Sequence, residues 1–222
     1  MFHGFLKIFL KAAGACAALT GYCCCCRSAL PPADMPPPEK IVYYNYEVIN
    51  EYPHDPEAFT QGLAMEAGFL YEGTGLRGAS SIRKVELETG KVLQKKSIAD
   101  AYFGEGIAVH GRRLVQLTWK AQTGFVYDLD SFERKETFNY LGEGWGLTHD
   151  GKKFIMSDGT AKLRFLDLNT LETIGQLYVR FGDEPVRYLN ELEYIDGRLY
   201  ANIWRQDKIA IIDPDSGYVT GW

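Results

Sequence analysis

No cysteine follows Arg27. All five lie at Cys16 and Cys23 to Cys26, so the remainder of the 222-residue chain can form no disulfide, thiolate metal site or cysteine nucleophile. Histidine is scarce too: His3, His54, His110 and His149 stand in no zinc-binding spacing, and the last two fall in expected hairpin turns, where solvent exposure is the plain reading. Positive charge is nowhere massed. The 24 Lys and Arg against 29 Asp and Glu give a net charge of −5, which argues against nucleic acid as a partner. The acidic turn Asp213-Pro214-Asp215 lacks the helix signature and ligand spacing of an EF-hand, so no metal is required. A long apolar run is also missing: Ile8-Phe9-Leu10 and Ala12 to Leu19, with Lys7 and Lys11 beside them, are too short and interrupted to span a bilayer comfortably.

That N-terminal pattern fits a targeting segment over residues 1–26, an export signal either cleaved or retained, the alternative being a disordered extension. Its cysteines, at Gly14-Ala15-Cys16 and Gly21-Tyr22-Cys23, make a lipid anchor the other form it takes, with membrane attachment through the N-terminus alone. The chain is therefore expected to be exported, periplasmic or secreted. Pro31, Pro32, Pro36, Pro37 and Pro38 make residues 27–40 an extended linker, because proline lacks the donor that helices and sheets use. Residues 41–222 then read as one all-β domain, expected to be a monomer. Its composition, 46% hydrophobic and 14% aromatic over the whole chain, supports a substantial core.

The domain is internally repeated. TQGLAMEAGFLYEG from Thr60, GEGIAVHGRRLVQLTW from Gly104, GWGLTHDGKKFIMSDG from Gly144 and NELEYIDGRLYANIW from Asn190 overlay almost residue for residue. Each reads as a strand, a glycine turn (Ala67-Gly68, His110-Gly111, Asp150-Gly151, Asp196-Gly197) and a second strand. Aligned on Gln61, Glu105, Trp145 and Glu191, successive repeats are 44, 40 and 46 residues apart, the period of a four-stranded propeller blade. The β-rich stretch Ile41 to Ile49 stands where a propeller commonly places the strand that closes its last blade.

In a propeller the innermost strands line the axis, so equivalent repeat positions converge in space. Apolar residues that recur in the repeats, such as Leu63, Ile107 and Leu147, are packing. Those that differ at central positions are the site candidates: Phe59, Gln61, Phe103, Glu105, Trp119, Trp145, Asn190, Glu191 and Trp204. Aromatic walls around a few carboxylates and amides make up a small-molecule or peptide-end pocket. For each tryptophan taken singly, packing between blades is an equal alternative.

These residues lie in strings that run in order from Tyr52 to the end of the chain. They include Tyr52-Pro53-His54-Asp55-Pro56-Glu57-Ala58-Phe59-Thr60-Gln61-Gly62-Leu63, Tyr102-Phe103-Gly104-Glu105-Gly106, Gly144-Trp145-Gly146-Leu147 and Leu189-Asn190-Glu191-Leu192-Glu193-Tyr194. In them the chain resembles the plant and bacterial glutamine cyclotransferase family. The resemblance implies a five-bladed β-propeller that uses no metal or cofactor, acts on peptides or proteins with N-terminal glutamine, and closes that residue to pyroglutamate with release of ammonia. It places Glu105 on the catalytic acid/base and Phe59, Gln61, Phe103, Trp119, Trp145, Asn190, Glu191 and Trp204 on the substrate pocket. Members of the family continue past the Asp-Pro-x-x-Gly turn with a further strand and a pocket lysine, so the fifth blade is expected to be incomplete in this chain. A propeller that only binds peptide ends, or one that serves as a scaffold, is the alternative, since fold by itself decides no function.

Overall fold

The computed structural model describes residues 37–222, so the segment expected over 1–26 and most of the linker expected over 27–40 lie outside the described residues. The first sheet contains β1 (Thr60–Glu66), β2 (Phe69–Thr74), β3 (Ser81–Glu86) and β4 (Lys91–Ser97). The second contains β5 (Gly104–His110), β6 (Arg113–Thr118), β7 (Thr123–Asp128) and β8 (Arg134–Asn139), and the third β9 (Leu147–His149), β10 (Lys153–Ser157), β11 (Lys162–Asp167) and β12 (Thr173–Tyr178). After a short hairpin, β13 (Arg180–Phe181) and β14 (Glu184–Pro185), the fourth contains β15 (Leu189–Ile195), β16 (Arg198–Ile203), β17 (Ile209–Ile212) and β18 (Val219–Gly221). Each is an antiparallel meander in chain order, and the first strand of each lies against its counterpart in the next sheet, giving four propeller blades around one axis.

Three apolar layers hold the blades face to face. Tyr71 and Ile82 of blade one pack on Ile107, Leu114 and Phe125 of blade two. Ala108, Val115 and Leu117 of blade two meet Phe154, Met156 and Leu166 of blade three, and Ile155 and Leu163 of blade three meet Leu192, Leu199 and Ile212 of blade four. Alternation along a strand explains why Phe154 and Met156 face one neighbour while Ile155, between them, faces the other. A sheet buried on both faces needs such continuous apolar runs. Each fully buried side chain of this size contributes roughly 1.5–3 kcal/mol. The outermost strand of blade one is polar instead, with Lys91, Lys95 and Lys96 of β4 exposed.

Hairpin turns follow their sequences with one shift. Ala67-Gly68 and Asp196-Gly197 have positive φ at both residues, as a type I′ turn requires. His110 pairs with Arg113 and Asp150 with Lys153, so those turns are centred on Gly111-Arg112 and Gly151-Lys152, one residue later than expected. His110 and His149 consequently sit outside the turn tips and are not simply solvated. Their rings meet edge to face with centroids 5.0 Å apart, and His149 Nε2 donates to the Val109 carbonyl at 2.8 Å.

The repeat alignment also shifts in blade four. Counting back from the turns, Gln61, Glu105 and Trp145 are equivalent to Asn190, not Glu191. Glu191 instead falls in the position held by Gly62, Gly106 and Gly146. Glycine there lets adjacent inner strands touch through their backbones: a Cβ on Gly62 would stand 2.6 Å from Ile107 N, one on Gly106 2.8 Å from Leu147 N, and one on Gly146 2.8 Å from Glu191 Cα. Glu191 spends its carboxylate on the same axis, accepting from its neighbour Leu192 N–H and, across the molecule, from Leu63 N–H of β1 at 3.3 Å.

Ile41 to Ile49 forms no blade of its own among the described residues. Val42 exchanges backbone hydrogen bonds with Thr220 and Trp222 at 3.1 and 3.0 Å, so this segment runs parallel to β18 on the outside of blade four. Tyr43, Tyr44, Tyr46, Val48, Ile49 and Tyr52 remain exposed along it.

Candidate active site

Three of the four inner strands carry a one-residue bulge where the site candidates sit, between Thr60 and Gly62, Gly104 and Ile107, and Leu189 and Leu192. A bulge leaves one residue out of the ladder and re-aims its side chain, which turns Gln61 and Glu105 toward each other across two blades. Gln61 Nε2 donates to Glu105 Oε2 at 2.8 Å.

Glu105 is 5% exposed. Burial pushes its carboxyl well above the usual range of about 4.5, the nearby charges of Glu143 and Glu191 push it the same way, and the hydrogen bond from Gln61 only partly opposes them. The group therefore holds its proton in conditions where an exposed glutamate has lost it.

Aromatic rings flank it in two groups. On the side of blades one and two, Phe59, Phe103 and Trp119 form a chain of edge-on contacts with centroids 6.1 and 5.7 Å apart. Room for Phe103 comes from Gly75, which holds in blade one the place that Trp119 and Trp204 hold in blades two and four: a Cβ there would stand 2.7 Å from Phe103 Cζ and 3.0 Å from Gln61 Cγ. On the side of blades three and four, Trp145, Trp204 and Tyr188 pack at 5.5 and 6.0 Å. These last three, with Gly142, Glu143, Asp158, Gly159 and Thr160, line a cleft of about 450 Å³.

The two aromatic groups meet at Glu143, whose Oε2 accepts the indole N–H of Trp119 at 2.6 Å and of Trp145 at 2.9 Å. Phe59, Phe103 and Trp119 thus belong to the same two blades as the Gln61–Glu105 pair, and Glu143 ties them to Trp145 and Trp204 of the next two. Asn190 joins the array through its backbone, its carbonyl accepting from Ser157 Oγ at 2.6 Å. Glu191 is buried on the axis and bonded to backbone N–H groups, beside the site rather than on the wall of the cleft.

Glu143 and Tyr188 were missed in the sequence. In the corrected alignment they are the blade-three and blade-four equivalents of Phe59 and Phe103, two residues before Trp145 and Asn190, and aligning Glu191 in place of Asn190 hid Tyr188. The repeat of Gly104-Glu105-Gly106 as Gly142-Glu143-Gly144 was the visible signal for the carboxylate.

The loop leading into Phe59 is fastened separately. Glu72, buried, accepts from His54 Nε2 at 2.8 Å and Thr60 Oγ1 at 2.5 Å, while Arg83, also buried, pairs with Asp55 at 2.7 Å and stands 3.8 Å from Glu72. Among the described residues no three His, Cys, Asp or Glu side chains gather in a way that would hold a metal ion.

The family model described as glutamine cyclotransferase matches residues 17–222. A glutaminyl-peptide cyclotransferase of Arabidopsis thaliana is 47% identical over 178 residues, which cover 79% of this chain and 56% of that protein; the chain thus spans little more than half the length of this curated relative. The crystal structure of Myxococcus xanthus glutaminyl cyclase superposes with a TM-score of 0.77 at 36% identity, covering 82% of this chain and 77% of that one. The WD40 domain of Neurospora crassa Pan2, at 10% identity and a TM-score of 0.53 over 69% of this chain and 48% of its own, shares the fold alone. With the family model covering all four blades and the Arabidopsis relative at 47% identity over 79% of the chain, the chain belongs to the glutamine cyclotransferase family.

Proposed function

We propose that this chain carries the site of a glutaminyl-peptide cyclotransferase, in which Glu105 moves the proton that closes an N-terminal glutamine to pyroglutamate. The observation that carries this reading is Glu105 itself: a buried carboxyl whose affinity for its proton is raised by burial, oriented by Gln61 and two residues along the chain from Phe103, the middle ring of one aromatic group. The neutral α-amine, available near neutrality because its ordinary pKa is about 7.7–8, attacks the side-chain amide carbon. The new C–N bond closes the lactam. Glu105 gives its proton to the departing nitrogen and recovers one from the attacking amine, so one proton passes from nucleophile to leaving group and ammonia departs.

Gln61 orients the acid in this scheme, its Nε2 being engaged with Glu105, while the Asn190 amide is the donor left to polarise the substrate carbonyl as charge grows on oxygen. The rings of Phe59, Phe103, Trp119, Trp145 and Trp204 exclude water and hold the glutamine side chain folded back on its own amine. The chemistry needs no metal.

We also infer that the protein is exported and that the complete propeller has five blades. The exposed apolar run from Tyr43 to Tyr52 is what a further sheet would cover.

The deciding experiment measures ammonia release from a Gln-initiated peptide by the intact gene product, with and without a chelator. Turnover that survives chelation and collapses in Glu105→Gln supports the reading. Unchanged turnover in Glu105→Gln removes Glu105 from its role, and no turnover in the wild type favours a propeller that only binds peptide ends.

A further inference from the structure

At the position two residues before Gln61, Glu105, Trp145 and Asn190, three blades carry a ring, Phe59, Phe103 and Tyr188, and blade three carries Glu143. That single departure lies between the two aromatic groups. We propose that Glu143 is a positioning residue whose one carboxylate oxygen fixes the indoles of Trp119 and Trp145, and with them both aromatic walls, in a constant relation across the site. The inference rests on the cyclotransferase reading for its effect on substrate, but not for the coupling of the two indoles.

Geometry makes the joint rigid. Both indole donors reach the same atom, Oε2, at 2.6 and 2.9 Å, so neither ring turns without losing a charge-assisted hydrogen bond. Trp119 is in edge contact with Phe103 at 5.7 Å and Trp145 with Trp204 at 5.5 Å, so whatever fixes the two indoles fixes four rings. The other oxygen, Oε1, lies 3.7 Å from Lys120 Nζ, which itself sits 4.1 Å over the Trp119 ring.

Glu143 is in turn held by its backbone. Arg164 Nη2 donates to the Glu143 carbonyl at 2.7 Å, its Nη1 donates to the Leu141 carbonyl, and the same guanidinium pairs with Asp158 at 3.3 Å. Tyr140, just upstream, donates to the Thr118 carbonyl and accepts from Thr118 N–H, tying the loop to the strand that leads into Trp119. A carboxylate on a loop fastened at this many points serves as a fixed anchor and not as a mobile surface charge.

The test reads the joint without substrate and then with it. In protein labelled with 15N at the indoles, the Nε1–H signals of Trp119 and Trp145, assigned with Trp119→Phe and Trp145→Phe, are expected to shift together in Glu143→Ala while that of Trp222 stays in place. Glu143→Gln, which keeps an acceptor, is expected to restore most of that shift. With a Gln-initiated peptide, Glu143→Ala is expected to raise KM roughly tenfold or more, the scale of hydrogen bonds to a charged group, with a smaller fall in kcat and partial rescue in Glu143→Gln.

Indole signals that ignore Glu143→Ala, or that move singly, overturn the inference whatever the activity. So does an unchanged KM in an active enzyme. Should the intact wild type fail to cyclise peptides, the cyclotransferase reading falls, and the paired shift of the two indoles still decides this one.

Discussion

Gln61 and Glu105 face each other from two different blades, and the 2.8 Å bond between them is made at paired bulges in β1 and β5. Burial raises the Glu105 carboxyl well above the usual range against the opposing pull of that bond, which favours the protonated state that a donor to a departing nitrogen requires. Glu105→Gln keeps shape and an acceptor for Gln61 but carries no mobile proton. Its kcat in peptide cyclisation is expected to fall about 10²–10⁴-fold with KM nearly unchanged, by steady-state ammonia release.

The same substitution is expected to stabilise the fold. The folded-state pKa of Glu105 is raised above 4.5, so its contribution to stability is complete below that pH and is lost as pH rises through the folded value. Glutamine does not titrate. Tm measured across pH is therefore expected to match the wild type at acid pH and to exceed it increasingly toward neutrality; a constant offset would mean that Glu105 is not held protonated by the fold.

Gly75→Ala probes the site with little effect on the core. The new methyl would press on Phe103 and Gln61, both of which have to move to admit it. Activity is expected to drop by about tenfold, while overpacking of this kind costs roughly 1–3 kcal/mol at most, read by urea unfolding. Full activity would show that the Phe103–Gln61 arrangement is not needed.

Gly146→Ala is expected to do the reverse. Its methyl would meet the backbone of Asn190 and Glu191, which has no side-chain freedom with which to yield. The loss is expected to reach or pass about 3 kcal/mol, or to abolish soluble expression. A Tm within a few degrees of the wild type would show that the inner strands are free to separate.

Arg83→Met leaves Glu72 buried without its neighbouring cation. Breaking one partner of a buried ion pair costs about 3–5 kcal/mol, whereas replacing both by apolar residues is often neutral. Arg83→Met with Glu72→Met is thus expected to recover much of the stability lost by Arg83→Met alone, as a double-mutant cycle in urea would register.

The blades were legible because their signal is local: glycine turns and alternating strands recur at a near-constant period, and all four hairpins form, two of them with the turn one residue later than its residues indicated. The list of pocket residues came from the same register, and the Gln61–Glu105 bond joins two equivalent positions of neighbouring repeats. What the sequence hid was the register of the turns. The glycine is the second turn residue in blades one and four and the first in blades two and three, so matching Glu191 to Glu105 by their equal distance from it sets blade four off by one residue, whereas counting from the residues paired across the turn puts Asn190 there. The role of Glu143 was hidden for a different reason: one of its indole partners, Trp119, lies 24 residues away in another blade, and nothing near Glu143 and Trp145 announces that one oxygen serves both indoles. The Ile41–Ile49 segment has the composition of a strand, but its partner, β18, lies at the far end of the sequence, where composition gives no guide.

The bond from Leu63 N–H to Glu191 also sets a clock on synthesis. The two residues are 128 positions apart, so the innermost strand of the first blade waits for its last partner while two further blades and the start of the fourth are translated. At about 5–20 residues per second, that interval is roughly 6–25 s. Over that time the growing chain has a row of blades with an open side, each able to settle on its predecessor through the apolar layers but none able to close the axis. Ribosome-arrested chains ending before Leu189 are accordingly expected to leave β1 open to protease, and chains that have released Glu191 from the exit tunnel to protect it; equal protection in both would show that the first blade matures without the fourth.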